Sequence, residues 1–136
     1  MSKTDAEWQA LDARIAREVM GWVIRYYGIP SKGRPVYCES MSSRSFQMYV
    51  DHWQPHKDVA QALMALDTVA DKYPDVGYTL ERATPKRPCD YMCALGNPDA
   101  PETLAFAPIL REAICSALEK WMDAQRLRTP DGAADG

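Results

Sequence analysis

The residues best suited to chemistry are few. His52 and His56, the only two histidines, stand four positions apart and flank Trp53 and Pro55; Cys89 and Cys93 are likewise four apart. A set of two histidines and two cysteines has the composition of a structural zinc site. Spacing argues against one. If 89–93 is a strand, the two cysteines share a face yet stand about 13 Å apart at roughly 3.3 Å per residue, whereas each thiolate of a shared zinc lies only about 2.3 Å from the metal. Pro55 also interrupts any single helical turn through 52–56. The simpler expectation is a capping His56, buried cysteines and no metal. Asp51-His52 together with Cys38 offers a base and a thiol nucleophile, on condition that a hairpin brings them within about 3 Å. The sequence contains no Gly-rich phosphate loop, no His-Glu-x-x-His and no Gly-x-Ser-x-Gly, so no catalytic residue is assigned and no cofactor is expected.

A different chemistry comes from aromatic residues beside cations. Arg25, Lys32 and Arg34 neighbour Tyr26 and Tyr27, Lys57 follows Trp53, and Arg82, Lys86 and Arg87 sit between two strand-like segments. A ring for a base and a Lys or Arg for a phosphate suit a planar anionic ligand of the nucleotide kind. The candidate ligand-binding set is Tyr26, Arg34, Trp53, Lys57, Arg82, Lys86 and Arg87. The competing reading makes these tyrosines and tryptophans core or interface residues and the charges solvated loops.

The elements that must position these groups follow from periodicity. Trp8, Leu11, Ile15, Val19 and Trp22 recur at the spacing of one helix face. Thr4 with Glu7 makes a capping box in front of it, Gly21 reads as its stop and Trp22 as an anchor just beyond. Residues 23–34, with Gly28, Pro30 and Gly33, read as an exit loop. Pro35–Cys38 and Phe46–Val50 are β-rich around a polar turn, which predicts a hairpin. Pro55 opens a second helix whose apolar face is Val59, Leu63, Leu66, Ala70 and Tyr73, widened by Ala62 and Val69, and Pro74 ends it. Val76–Arg82 and about Asp90–Leu95 predict two antiparallel strands, closed by Gly96-Asn97-Pro98-Asp99. Thr79, Glu81 and Asp90 place polar side chains on one face of that pair, so part of the sheet is expected to be open or to meet another subunit. A last helix starts near Pro108 and buries Leu110, Ala113, Ile114, Ala117, Leu118 and Trp121, with Cys115 acting as a small hydrophobe.

The fold class expected is α+β: a small antiparallel sheet packed by three amphipathic helices, a helix/sheet/helix sandwich. The 136 residues fit one domain, 1–128, with 129–136 of tail composition and expected to be disordered. A net charge of −3 from 16 basic and 19 acidic residues, without a basic block, argues against binding duplex nucleic acid. No apolar run approaches the roughly 18 residues of a membrane span, and the polar start Met1-Ser2-Lys3-Thr4-Asp5 has no signal-peptide core. A cytoplasmic protein with reduced cysteines is the expectation.

Phage origin is suggested by three stretches together: Leu11-Asp12 through Val19-Met20-Gly21-Trp22, then Trp53-Gln54-Pro55 before a helix with Asp58 and Ala62, then Ala113-Ile114-Cys115-Ser116-Ala117-Leu118. In these the chain resembles the phage ABA sandwich domain family, small proteins of bacteriophages and prophages, over roughly residues 11–121. It departs from the family at His56, where a Pro-Ser pair often precedes the second helix, and in a longer segment at 98–107. The resemblance implies a helix/sheet/helix sandwich and a phage source; it brings no catalytic residues. The function expected is that of a non-enzymatic accessory protein that binds a host factor or a small phosphorylated, nucleotide-type signal, with counter-defence sequestration as one such role. The alternatives are a small hydrolase acting on such a ligand, and a structural or assembly protein with no ligand. Because Tyr26, Tyr27, Tyr37, Tyr49 and Trp53 crowd the segment between the first two helices, a homo-oligomer built partly from 26–53 is expected, unless these rings fold back over the sheet within one chain.

Overall fold

The first helix, α1 (Asp5–Glu18), starts where Thr4 accepts from the Glu7 backbone and the Glu7 carboxylate accepts from the Thr4 N–H, the reciprocal capping box. It ends through Gly21, whose φ of +73° lets the Trp22 N–H return to the Ala16 carbonyl at 3.0 Å. Lys72, from the end of the second helix, donates to the Val19 carbonyl at 2.8 Å, which ties the two helix ends together. The computed structural model describes residues 3–27, 34–39, 46–84, 87–97 and 100–128.

After α1 come β1 (Val23–Tyr27), β2 (Arg34–Cys38) and β3 (Phe46–Tyr49), an antiparallel sheet in the order β1-β2-β3. A 3-10 turn (Val50–His52) leads to α2 (Val59–Lys72), whose N-cap is Asp58, accepting from the Ala60 and Gln61 N–H groups. Then β4 (Gly77–Thr84), β5 (Arg87–Asn97) and β6 (Ala100–Ala107) form a second antiparallel sheet, covered on one face by α3 (Leu110–Arg128). The α+β class is therefore as expected, with three helices and two three-stranded sheets in place of one sheet. No helix among the described residues is long and apolar enough to cross a membrane.

Three expectations change. The segment expected as an exit loop begins with β1: Val23-Ile24-Arg25-Tyr26-Tyr27 is β-branched and aromatic, and the Gly/Pro punctuation comes only after Tyr27. The stretch expected to connect the last strand to the last helix contains β6, paired along β5 from Tyr91↔Ala107 to Asn97↔Ala100. Its alanines, with Pro101 and Glu102, give no strand signal, and a proline fits there because β6 is an edge. Helix α2 begins at Val59, not at Pro55, and its buried face is Ala62, Ala65, Leu66 and Val69, whereas Val59 and Tyr73 are 42% and 45% exposed. The two alanines, Ala62 and Ala65, are wholly buried. The expected tail, 129–136, lies outside the described residues.

One core joins these parts. Ile15, Leu66, Leu95, Ile114 and Leu118 have no solvent exposure, and Trp8, Leu11, Val19, Trp22, Tyr37, Trp53 and Trp121 pack around them. Trp22 sits 4.9 Å from Trp53 and 5.5 Å from Tyr37, ring centre to ring centre. Tyr37 and Trp53 are thus interior rings of one chain; among the described side chains of the aromatics expected at an interface, Tyr26 stands out, 60% exposed. On the α3 side of the second sheet lie Cys93 and Leu95; the opposite face carries Thr79, Glu81, Met92, Ala94 and Leu104, so the polar face inferred from sequence is the one turned from α3.

Outside the core, α1 and α3 are clamped by Glu18. Its carboxylate takes Arg14 Nε at 3.0 Å and Arg126 at 3.0 Å, while Arg14 also reaches Asp123 at 2.8 Å. Burial alone raises the Glu18 pKa, but the Arg14 hydrogen bond and the charges of Arg14 and Arg126 outweigh it and hold the group below its usual 4.5. A depressed carboxylate stabilises the fold above its unfolded value and loses that contribution as pH falls through the folded one. Glu18→Gln is expected to cost about 1 kcal/mol in urea unfolding at neutral pH. The gap from wild type should stay constant above pH 4.5 and close below it. In the core, Leu66→Asp and Ile114→Asp should each abolish cooperative folding by circular dichroism, because each buries a carboxylate without a partner.

Candidate functional site

Asp12 is one turn beyond Trp8 on α1, within the apolar arc, and is 3% exposed. A carboxylate there must have its oxygens satisfied, and the segment 53–58 does this. One oxygen accepts from the His56 backbone N–H at 3.3 Å, the other is hydrogen-bonded to His56 Nδ1. Trp53 donates its indole N–H to the Asp12 carbonyl at 2.8 Å. The His56 ring lies flat against Trp8, 5.4 Å between centres and 3° from parallel. Arg111 of α3 donates to the His56 carbonyl at 3.0 Å, so the cluster joins α1, the linker and α3. Burial pushes the Asp12 carboxyl above the usual range, against the pull of its bonds to His56.

The linker owes its shape to local rules. Pro55, itself buried, follows Gln54, whose carbonyl accepts from Lys57 and Asp58 at 2.8 and 2.9 Å in a tight turn. Gln61 on α2 clamps the approach: its carbonyl oxygen accepts from the Gln54 N–H at 2.6 Å and its amide donates to the His52 carbonyl at 2.9 Å. His56 is therefore a buried partner of Asp12, not a helix cap.

Against this rigid wall opens a cleft of about 230 Å³. It is lined by Gln9, Asp12 and Ala13 of α1, Tyr37 of β2, and Val50, Asp51, Trp53 and Gln54 of the segment that follows β3. The lining holds two carboxylates, two carboxamides and two aromatic side chains, and no Lys or Arg. Burial and the nearby Asp12 charge push the Tyr37 phenol above its ordinary value, so it remains a neutral hydroxyl.

The candidate anion-binding residues are not gathered here. Trp53 lines the cleft, but as a core side chain 2% exposed whose N–H is already used. Lys57 is exposed at the turn before α2. Tyr26 and Arg34 belong to β1 and β2 of the first sheet, and Arg82 and Arg87 to β4 and β5 of the second. Arg82 sits over the Tyr91 ring at 5.4 Å. Lys86 lies outside the described residues.

The base-and-thiol arrangement is not presented either. Cys38 is wholly buried in β2, while Asp51 and His52 are exposed, with His52 Nε2 4.0 Å from the Asp51 carboxylate. Among the described residues, no three His, Cys, Asp or Glu side chains converge as metal ligands. Burial pushes the Cys93 thiol up to about 12 and that of Cys115 higher still, so both are inert at neutral pH.

Sequence reasoning missed Asp12, Tyr37, Gln9 and Gln54 as neighbours. The available signal was Asp12 itself, four residues after Trp8 and three before Ile15, a charge inside an apolar stripe. No family model, curated protein or solved structure matches the chain.

Removing either end of the cluster leaves a buried polar group unpaired. Asp12→Ala should lower unfolding free energy by about 3 kcal/mol, and Trp53→Phe, which removes the indole donor and part of a buried ring system, by about 2–3 kcal/mol. In a double-mutant cycle of Asp12→Ala with His56→Ala, the pair should cost less than the two single losses added together.

Proposed function

We propose that this chain works by binding, as an accessory protein of the phage kind it resembles, and that its partner enters the cleft between α1 and the 50–54 linker. The carrying observation is the lining: carboxylates, carboxamides and aromatic side chains with no basic residue. Such a lining disfavours a phosphate and favours a guanidinium or ammonium, for which the exposed Asp51 is the counter-charge and the Gln9 and Gln54 side-chain carbonyls are acceptors. Of the two ligands considered from sequence, a host protein presenting a basic side chain therefore fits better than a phosphorylated signal. Binding is preferred to hydrolysis because the lining offers no Ser, Cys, His or Lys, and both Asp12 oxygens are engaged with His56.

Amide-resolved NMR titration tests this with arginine amide and spermidine against AMP. The cations should shift the side-chain amides of Gln9 and Gln54 and the Trp53 indole N–H, and Asp51→Asn should weaken that binding about threefold or more. Tighter binding of AMP than of either cation, or conversion of any probe to product, would overturn the reading.

A further inference from the structure

We propose that the outer edge of β1 is the contact surface of a two-fold homodimer, formed by antiparallel pairing of β1 with β1 of a second copy. The proposal is independent of the cleft. It begins from how the sheet edges differ. Within the second sheet, the β4 edge carries Glu81 and Arg82 and a register shift between Arg82 and Thr84. The β6 edge holds Pro101, its pairing with β5 shifts near Asn97, and Lys120 donates to the Leu104 carbonyl at 2.8 Å. In the first sheet, β3 is only four residues long and its pairing with β2 shifts at Cys38. Charge, proline, irregularity and shortness are the usual means of blocking an edge.

β1 has few of them. It pairs with β2 over five successive residues, Val23↔Cys38 to Tyr27↔Arg34, with no shift, and contains no proline. Among the described residues no strand pairs with its other side. Two of its side chains, Ile24 and Tyr26, are 46% and 60% exposed and share one face. That face is continuous with the core: Ile24 is opposite Tyr37, which packs on Trp22.

A second copy is the occupant that this pattern fits. A two-fold axis through Arg25 brings Ile24 of each chain opposite Tyr26 of the other, a β-branched residue against an aromatic one, among the favourable cross-strand pairs. The two chains then form one six-stranded sheet whose Tyr37 layer runs across the axis. Arg25 itself falls on the axis, on the sheet face that holds Val36. The shared edge is a single five-residue strand from each chain, so the dimer is a reversible one that dissociates on dilution.

Sedimentation equilibrium from about 1 to about 200 µM should show the mass rising from 15.3 kDa towards twice that value. Ile24→Lys and Tyr26→Lys change exposed positions, so each should keep the wild-type melting temperature at low concentration yet stay monomeric throughout. Mixing Ile24→Cys with Tyr26→Cys protein under mild oxidation should cross-link the unlike pair faster than either variant with itself. A wild type that remains at 15.3 kDa over this range, or a Lys variant that still dimerises, would overturn the proposal. So would cross-linking without preference for the unlike pair.

Discussion

A carboxylate buried in a helix face constrains the rest of this molecule. Asp12 is buried together with Trp8, Leu11, Ile15 and Ala16 and is 3% exposed. Leaving it unpaired would cost several kcal/mol, so the chain beyond the first sheet has to return to α1 with donors in hand. It does so with the His56 backbone N–H and ring on the carboxylate, and with the Trp53 indole on the Asp12 main-chain carbonyl. Those three contacts fix where the linker runs, and through Gln61 and the Asp58 cap they fix where α2 starts. Arg111 extends the same tie to α3. A polar cluster with its members paired specifies geometry in a way apolar packing alone does not.

How much of this is legible in the sequence depends on side-chain size and on whether a signal is local. Helices α1 and α3 are readable because their buried residues are mostly large: Trp8, Leu11 and Ile15 in one, Ile114, Leu118 and Trp121 in the other. Helix α2 is readable as a helix but not in phase, because half of its buried face is Ala62 and Ala65 and small residues carry little weight in a hydrophobic pattern. Strand β1 is obscured by Gly28 and Pro30 just beyond it, and β6 by alanines whose burial comes from β5 and α3, not from propensity. The same limit hides the site. Trp53 is conspicuous, and sequence alone leaves its ring open between a ligand and the core; in the fold it is a core side chain that also lines the cleft. Asp12 is inconspicuous because a single Asp on a charged helix normally faces water, and its partners are 41 and 44 residues away.

In the proposed binding role, charge favours one ligand class where residue type alone does not. The cations that neighbour aromatics in sequence scatter over two sheets and the α2 turn, because adjacent strand residues point to opposite faces and the hairpins belong to different layers. The aromatics that do converge, Tyr37 and Trp53, meet carboxylates and amides. A local sequence neighbourhood is therefore a poor guide to a spatial one in a fold whose rings are held by long-range packing.

The cleft and the buried cluster share a wall, and this has a consequence for affinity. Trp53 forms part of the cleft and also donates to Asp12; Gln54 lines the cleft while its backbone is held by Gln61 and the Lys57–Asp58 turn. A group entering between Gln9 and Asp51 meets a surface already ordered by folding, so little conformational entropy remains to be lost on that side. What the cleft lacks is size: about 230 Å³ is below the range of pockets that enclose a drug-sized ligand. A pocket of that volume accommodates one side chain or the end of a small polyamine, and tight binding then requires contact beyond its rim. The exposed Asp51, His52 and Lys57 surround the same linker and would supply that contact to a protein surface better than to a free small molecule.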